Sequence, residues 1–149
     1  MSGRVILGLD PGNGRTGYGV VRKTGDEVQF MECGCISTNP KHSREDRLLD
    51  LHRQLSALFE RVRPEAAAVE ELFFSRNVTT AITVGEARGV ILLAAAQNRV
   101  TVSSYNPMTV KEVVAGAGKA GKPEMTQAVM YTLNLEEKPK PDDAADGLA

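Results

Sequence analysis

Apolar and polar positions along the chain predict alternating strands and helices. Residues 4–10 form an apolar, β-prone run that ends in Pro11 and Gly12, and residues 17–23 resume it with Tyr18, Val20 and Val21. Gly25 and Asp26 suit a two-residue hairpin, after which residues 27–37 alternate well enough for a third antiparallel strand. Ser43 can cap a helix whose first turn carries Glu45 and Asp46. Leu48, Leu51, Leu55, Leu58, Phe59 and Val62 then recur at helical spacing until Pro64 stops it. Residues 65–70 are short and apolar enough for a buried strand that delivers Glu70 at its end. Residues 78–98 have the length and small-residue content of a long packed helix, in which Gly85 and Gly89 would permit close approach. A strand over 100–104, a helix over 107–115, a glycine and lysine loop over 116–122, a helix starting at Pro123 and a last fragment after a linker at 138–141 complete the chain.

Three antiparallel strands followed by helix, strand, helix, strand and helices imply a mixed sheet flanked by helices. That order is the one expected of a ribonuclease-H-like α/β fold with a five-stranded sheet, one domain over residues 1–149.

Composition narrows the class. Of 149 residues, 42% are apolar and 25% charged, an ordinary globular balance. The longest near-continuous apolar stretch, residues 89–96, is short of a spanning helix, and the N-terminus lacks the pattern of a secretory signal. The expectation is a cytoplasmic protein with no membrane partner. The formal net charge of −1 hides an uneven distribution: residues 72–123 carry six basic and two acidic side chains, residues 124–149 two and six. A basic middle is a reason to look for a polyanionic ligand.

Two glycine patterns imitate nucleotide sites. Gly12, Gly14 and Gly17 satisfy G-x-G-x-x-G, but a strand opens at Gly17 where a dinucleotide site needs a helix. Gly116 to Lys122 fits the phosphate-loop spacing until Pro123 takes the place of the magnesium-ligating hydroxyl. A loop whose Lys119 and Lys122 meet a nucleic-acid backbone fits the local charge better. Cys33 and Cys35 sit two apart on one predicted strand and are expected as buried thiols, and a zinc site built from them with His42 and His52 would have unusual spacing.

The carboxylates carry the sharper signal. Asp10 and Glu70 each end a predicted strand, and Asp143 and Asp146 lie three residues apart on one face of the last helix. A fold that gathers all four would build a repulsive cluster unless cations occupy it, and two Mg²⁺ would neutralise it and clamp the oxygens of a phosphodiester.

Three blocks of sequence, GLDPGNGRTGYGVV, AVEELFFSRNVTTAITVGEARGV and DDAADGLA, together resemble the RuvC family of bacterial Holliday-junction resolvases over residues 4–149. The resemblance implies a homodimeric, structure-selective endonuclease that nicks two strands of a four-way DNA junction. Its metal-binding carboxylates fall on Asp10, Glu70, Asp143 and Asp146, with Mg²⁺ as cofactor, two per subunit, and Mn²⁺ as a substitute. It places an aromatic DNA contact on Phe73 and lysines near the DNA on Lys111 and Lys122, to which the local charge adds Lys119 and Arg76. Glu71, next to Glu70 on a predicted strand, is expected to face the opposite side. Junction-recognition and branch-migration proteins of the same pathway are the implied partners. Family members usually continue past Ala149 through the rest of the last helix, so a junction-binding module with impaired catalysis is the alternative reading. The similar hairpin of actin-like ATPases and sugar kinases is less apt, because those folds duplicate the domain.

Overall fold

The computed structural model describes residues 3–12, 14–71, 78–140 and 142–149, with the side chains of Asp142 and Asp143 outside the description. Five strands form one sheet in the order β3-β2-β1-β4-β5. β1 (Arg4–Pro11), β2 (Arg15–Thr24) and β3 (Glu27–Ser37) are an antiparallel meander, and β4 (Ala66–Glu70) and β5 (Thr101–Tyr105) run parallel to β1. The mixed sheet expected from the element order is therefore present. Gly25 closes the β2–β3 hairpin at φ +61°, a conformation that glycine adopts without the Cβ penalty.

One face of the sheet holds the main core. α1 (Arg44–Val62) begins where the Ser43 hydroxyl accepts the Asp46 amide at 3.2 Å, and it ends at Arg63, whose amide donates to the Phe59 carbonyl. Its Leu51, Leu55, Leu58 and Phe59 pack with α2 (Val78–Gln97) onto Leu7, Leu9, Val20, Ala67 and Val69 of the sheet. Alternation then turns Gly8 and Ala68 to the other face, where α5 (Asp142–Leu148) docks through the buried Ala144, Ala145 and Leu148. α3 (Pro107–Ala115) and α4 (Lys122–Leu133) complete that side, with Met125 and Val129 buried.

Some details depart from the pattern. β5 is displaced by one residue from the predicted 100–104, and α4 starts at Lys122, ahead of Pro123. Gly89 approaches nothing, since a Cβ there would meet open space, and the tight packing of α2 runs instead through Ala87, Ala94 and Ala95. Cys33 and Cys35 are half-buried thiols rather than buried ones. α2 is long and apolar enough to cross a membrane by length and composition, because a helix tolerates the threonines and glycines that interrupt an apolar run. One side of it packs into the core, where Ala81, Ala87, Ile91, Ala94 and Ala95 are buried, and its two charges are held by Arg44 and Ser104.

The outer strand β3 is tied to α1 by a two-pronged ion pair, Arg61 Nη1 to Glu32 Oε2 at 2.7 Å and Nη2 to Oε1 at 2.8 Å. Hydrogen bonding to the Arg61 guanidinium holds the Glu32 carboxyl below its ordinary range, against a partial burial that raises it. A group lowered in this way stabilises the fold above the unfolded-state value and loses that contribution as the pH falls through the folded one. Arg61→Gln is therefore expected to cost about 0.5–1 kcal/mol at pH 7, screening included. The cost shrinks below about pH 4.3. Urea melts at pH 7 and pH 2.5 check this, and an equal loss at both would remove the ion pair as the cause.

Candidate functional site

β3, β4 and β5 all run parallel to β1, so their C-terminal ends lie at one edge of the sheet, and α1, α2 and α3 each begin there. The N-terminus of α3 reaches that edge through Pro107, which brings partial positive charge there. Asp10 is the penultimate residue of β1 and Glu70 the last residue of β4. The register pairs Leu9 with Val69, so Asp10 and Glu70 follow side by side on adjacent parallel strands. Leu9 and Val69 face the α1–α2 core, and alternation turns the two acids away from it.

Asp10 and Glu70 line a common cleft at the sheet edge with Glu71 and Arg88. Glu70 also lines a trough with Asp146, whose apolar wall is Ala68, Tyr105, Val110 and Val113. Glu70 therefore lies between the other two acids. Asp146 gets there because Gly147, the next residue, sits against β2: a Cβ on Gly147 would fall 2.5 Å from the Tyr18 carbonyl carbon and 2.7 Å from the Gly19 amide nitrogen. Asp143 lies one turn earlier on α5, its side chain outside the described residues. Among the described residues no three acids stand close enough together to hold an ion. The donor set itself is all carboxylate oxygen, the chemistry of a hard divalent cation.

Lys122 opens α4 and places its Nζ 3.8 Å from Asp146 Oδ2, so a residue expected at DNA neighbours one expected at metal. Lys119 is exposed in the loop before α4, and Lys111 is half-buried on α3. Phe73 and Arg76 lie outside the described residues. Both glycine decoys are structurally excluded: the Gly12–Gly14 turn leads into β2, with the Gly12 amide donating to Arg15 O at 2.7 Å, and a helix rather than a strand precedes Gly116.

Two residues of the cleft were not anticipated. Glu71 was expected on the opposite side, but β4 ends at Glu70, so strand alternation no longer applies, and Glu71 lines the cleft while its amide donates to Tyr105 O at 2.8 Å. Arg88 reaches the cleft from α2, donates to the Ser104 hydroxyl and keeps its buried Nε without a partner. Nothing in the sequence marks Arg88, since it lies 18 positions beyond Glu70 on a helix of small residues.

Asp10, Glu70 and Glu71 thus share a cleft with Arg88, and Lys122 stands beside Asp146. Comparison with known proteins identifies the family. The family model described as crossover junction endodeoxyribonuclease RuvC matches residues 6–149. A protein of that name from Pseudothermotoga lettingae is 48% identical over 145 residues, covering 97% of this chain and 90% of the relative. One from a Roseiflexus species is 46% identical over 149 residues, covering 100% and 89%. The solved structure of Thermus thermophilus RuvC in complex with Holliday junction substrate superposes with a TM-score of 0.90 at 38% identity, covering 97% of this chain and 88% of that one.

Proposed function

The chain belongs to the RuvC family of crossover junction endodeoxyribonucleases, and we propose that it resolves four-way DNA junctions by paired, symmetric, metal-dependent nicks. The observation that carries this reading is the placement of Asp10 and Glu70 side by side at the ends of adjacent parallel strands, with Asp146 brought to Glu70 by a docked helix.

Asp10, Glu70, Asp143 and Asp146 would hold two Mg²⁺, with Mn²⁺ as a substitute. When bound, the ions supply a water of lowered pKa and charge stabilisation at the departing oxygen. The short Asp10 side chain, fixed on a strand inside the sheet, holds one carboxylate rigidly at the cleft. Glu70 does the same from β4, and α5 contributes its acids from the far face. Hydrolysis adds the water oxygen to phosphorus and expels the 3′ oxygen, leaving 5′-phosphate and 3′-hydroxyl ends. Lys111, Lys119, Lys122 and Arg76 would bind phosphates, and Phe73 would stack on bases at the junction centre.

A junction with two like-polarity strands to cut calls for two sites, hence a homodimer of this one nuclease domain. The exposed apolar positions Val78, Ile82 and Leu93 recur along one side of α2 and suit such a contact. The enzyme would act in the cytoplasm alongside junction-recognition and branch-migration proteins.

The test is nicking of a labelled four-way junction with Mg²⁺ or with chelator, beside linear duplex of the same sequence. Paired nicks confined to the junction and abolished by chelator are expected. Binding without nicks would replace the enzyme with a junction-binding module.

A further inference from the structure

A second charged feature lies on the other side of the β1–β2 hairpin from the lysines, apart from the carboxylate cleft. The hairpin that follows Asp10 borders a recess of about 50 Å³ lined by Gly12, Gly14, Arg15, Arg44 and Arg47, with Glu86 among the other lining residues. Arg15 comes from the start of β2, and the other two arginines from the first turn of α1.

The two helix arginines are held in the same way. Arg44 Nε lies 3.1 Å from Glu86 Oε2, and Arg47 Nε donates to the Thr38 hydroxyl at 3.2 Å. Each guanidinium is thus anchored at the recess through its inner nitrogen, and a guanidinium carries a further pair of terminal nitrogens as donors. That pair matches the two oxygens of a phosphodiester. Arg47 also lies against the hairpin where a side chain could not fit: a Cβ on Gly14 would stand 2.5 Å from Arg47 Nη2. Helical phase separates the charges of α1. Arg44, Arg47, Leu48 and Leu51 line the recess, whereas Glu45 and Asp46 point out of it and are exposed. Among the described residues Glu86 is the one acid on the recess; its Oε2 pairs with Arg44, while its buried Oε1 has no hydrogen-bond partner.

α1 packs on one face of the sheet, while α4 with Lys122 lies on the other. The carboxylate edge therefore runs between two cationic flanks. We propose that Arg15, Arg44 and Arg47 form a shelf that binds the phosphodiester backbone of the DNA arm entering the carboxylate cleft, opposite the lysines. The shelf gives the arm a fixed direction: backbone held on both faces of the sheet must cross its edge over Asp10 and Glu70. This inference rests on the resolvase reading.

The experiment measures binding of a fluorescent four-way junction by anisotropy, in Ca²⁺ or chelator to prevent cutting, across 50–300 mM salt. It compares the wild-type chain, Lys122→Ala and the double variant Arg15→Gln/Arg44→Gln. The double variant should bind about tenfold more weakly, and its log–log salt slope should fall by about one to two, one for each phosphate no longer neutralised. Wild-type affinity and slope in a variant with unchanged melting temperature overturn the shelf. Should the double variant fold poorly, Arg44→Gln alone, at a side chain 70% exposed, gives the same reading with about half the slope change. The two failures are distinct. A wild-type chain that binds neither junction nor duplex overturns the resolvase reading and the shelf together. Wild-type binding that weakens on Lys122→Ala but not in the arginine variants overturns the shelf alone.

Discussion

Asp10→Asn is expected to reduce junction nicking by about 10³-fold or more while leaving junction affinity within about twofold of wild type. The rate figure follows from losing several kcal/mol of charge stabilisation at the phosphodiester, at a factor of ten for each 1.36 kcal/mol. The affinity figure follows from position: Asp10 sits in the carboxylate cleft and carries the sign of the DNA, so removing its charge leaves every phosphate-binding cation in place. Asparagine keeps the volume and the strand geometry, so the melting temperature should move by no more than about a degree or two. Single-turnover nicking in Mg²⁺ and anisotropy in Ca²⁺ on the same preparation measure both quantities. An equal loss of binding by a fully folded variant would move Asp10 from the metal to the DNA.

Gly147→Ala carries the second large effect, and its sign is the informative part. In an isolated helix alanine is favoured over glycine by about 1 kcal/mol. Here the added Cβ would fall between 2.5 and 2.7 Å from backbone atoms of Tyr18 and Gly19, which cannot move without displacing β2. The same approach is closed from the other side, since a Cβ on Gly19 would lie 2.6 Å from the backbone nitrogen of Leu148. We expect a net loss of about 2 kcal/mol, within the range for overpacking a tight contact. We also expect a fall in nicking of about 10²-fold, because a shift of roughly 1 Å in α5 carries Asp146 with it. Denaturant unfolding and nicking rates of Gly147→Ala provide the test. A variant more stable than wild type would show that α5 is not seated on the sheet.

Much of this architecture is legible along the chain because it is local. The hairpin at Gly25, the Ser43 cap, the leucine spacing of α1 and the stop at Pro64 are each set by residues within a few positions of one another. Asp10 and Glu70 could be named as strand-end acids for the same reason, since a strand end depends on the residues that follow it. The resemblance to a family then joined them to Asp143 and Asp146.

Other features needed the tertiary structure. The boundary of β4 at Glu70 decides that Glu71 turns into the cleft, and an alternation rule extended by one residue predicted the reverse. Arg88 reaches the acids only because α2 lies across the end of β4 and β5. Arg15, Arg44 and Arg47 disappear in a segment with ten basic and eleven acidic side chains over residues 1–71. Folding sorts them by helical phase, against a hairpin about 30 residues away. Lys122 and Asp146, 24 residues apart, meet because α4 and α5 share one face of the sheet.

Which segments become strands and helices, and that Asp10 and Glu70 stand at or next to strand ends, follows from propensity, capping and alternation, which act over one or two turns. Which charges share a cleft depends instead on strand order, on the seating of α5 through Gly147 and on helix phase against the sheet. These are set by packing between residues far apart in the chain.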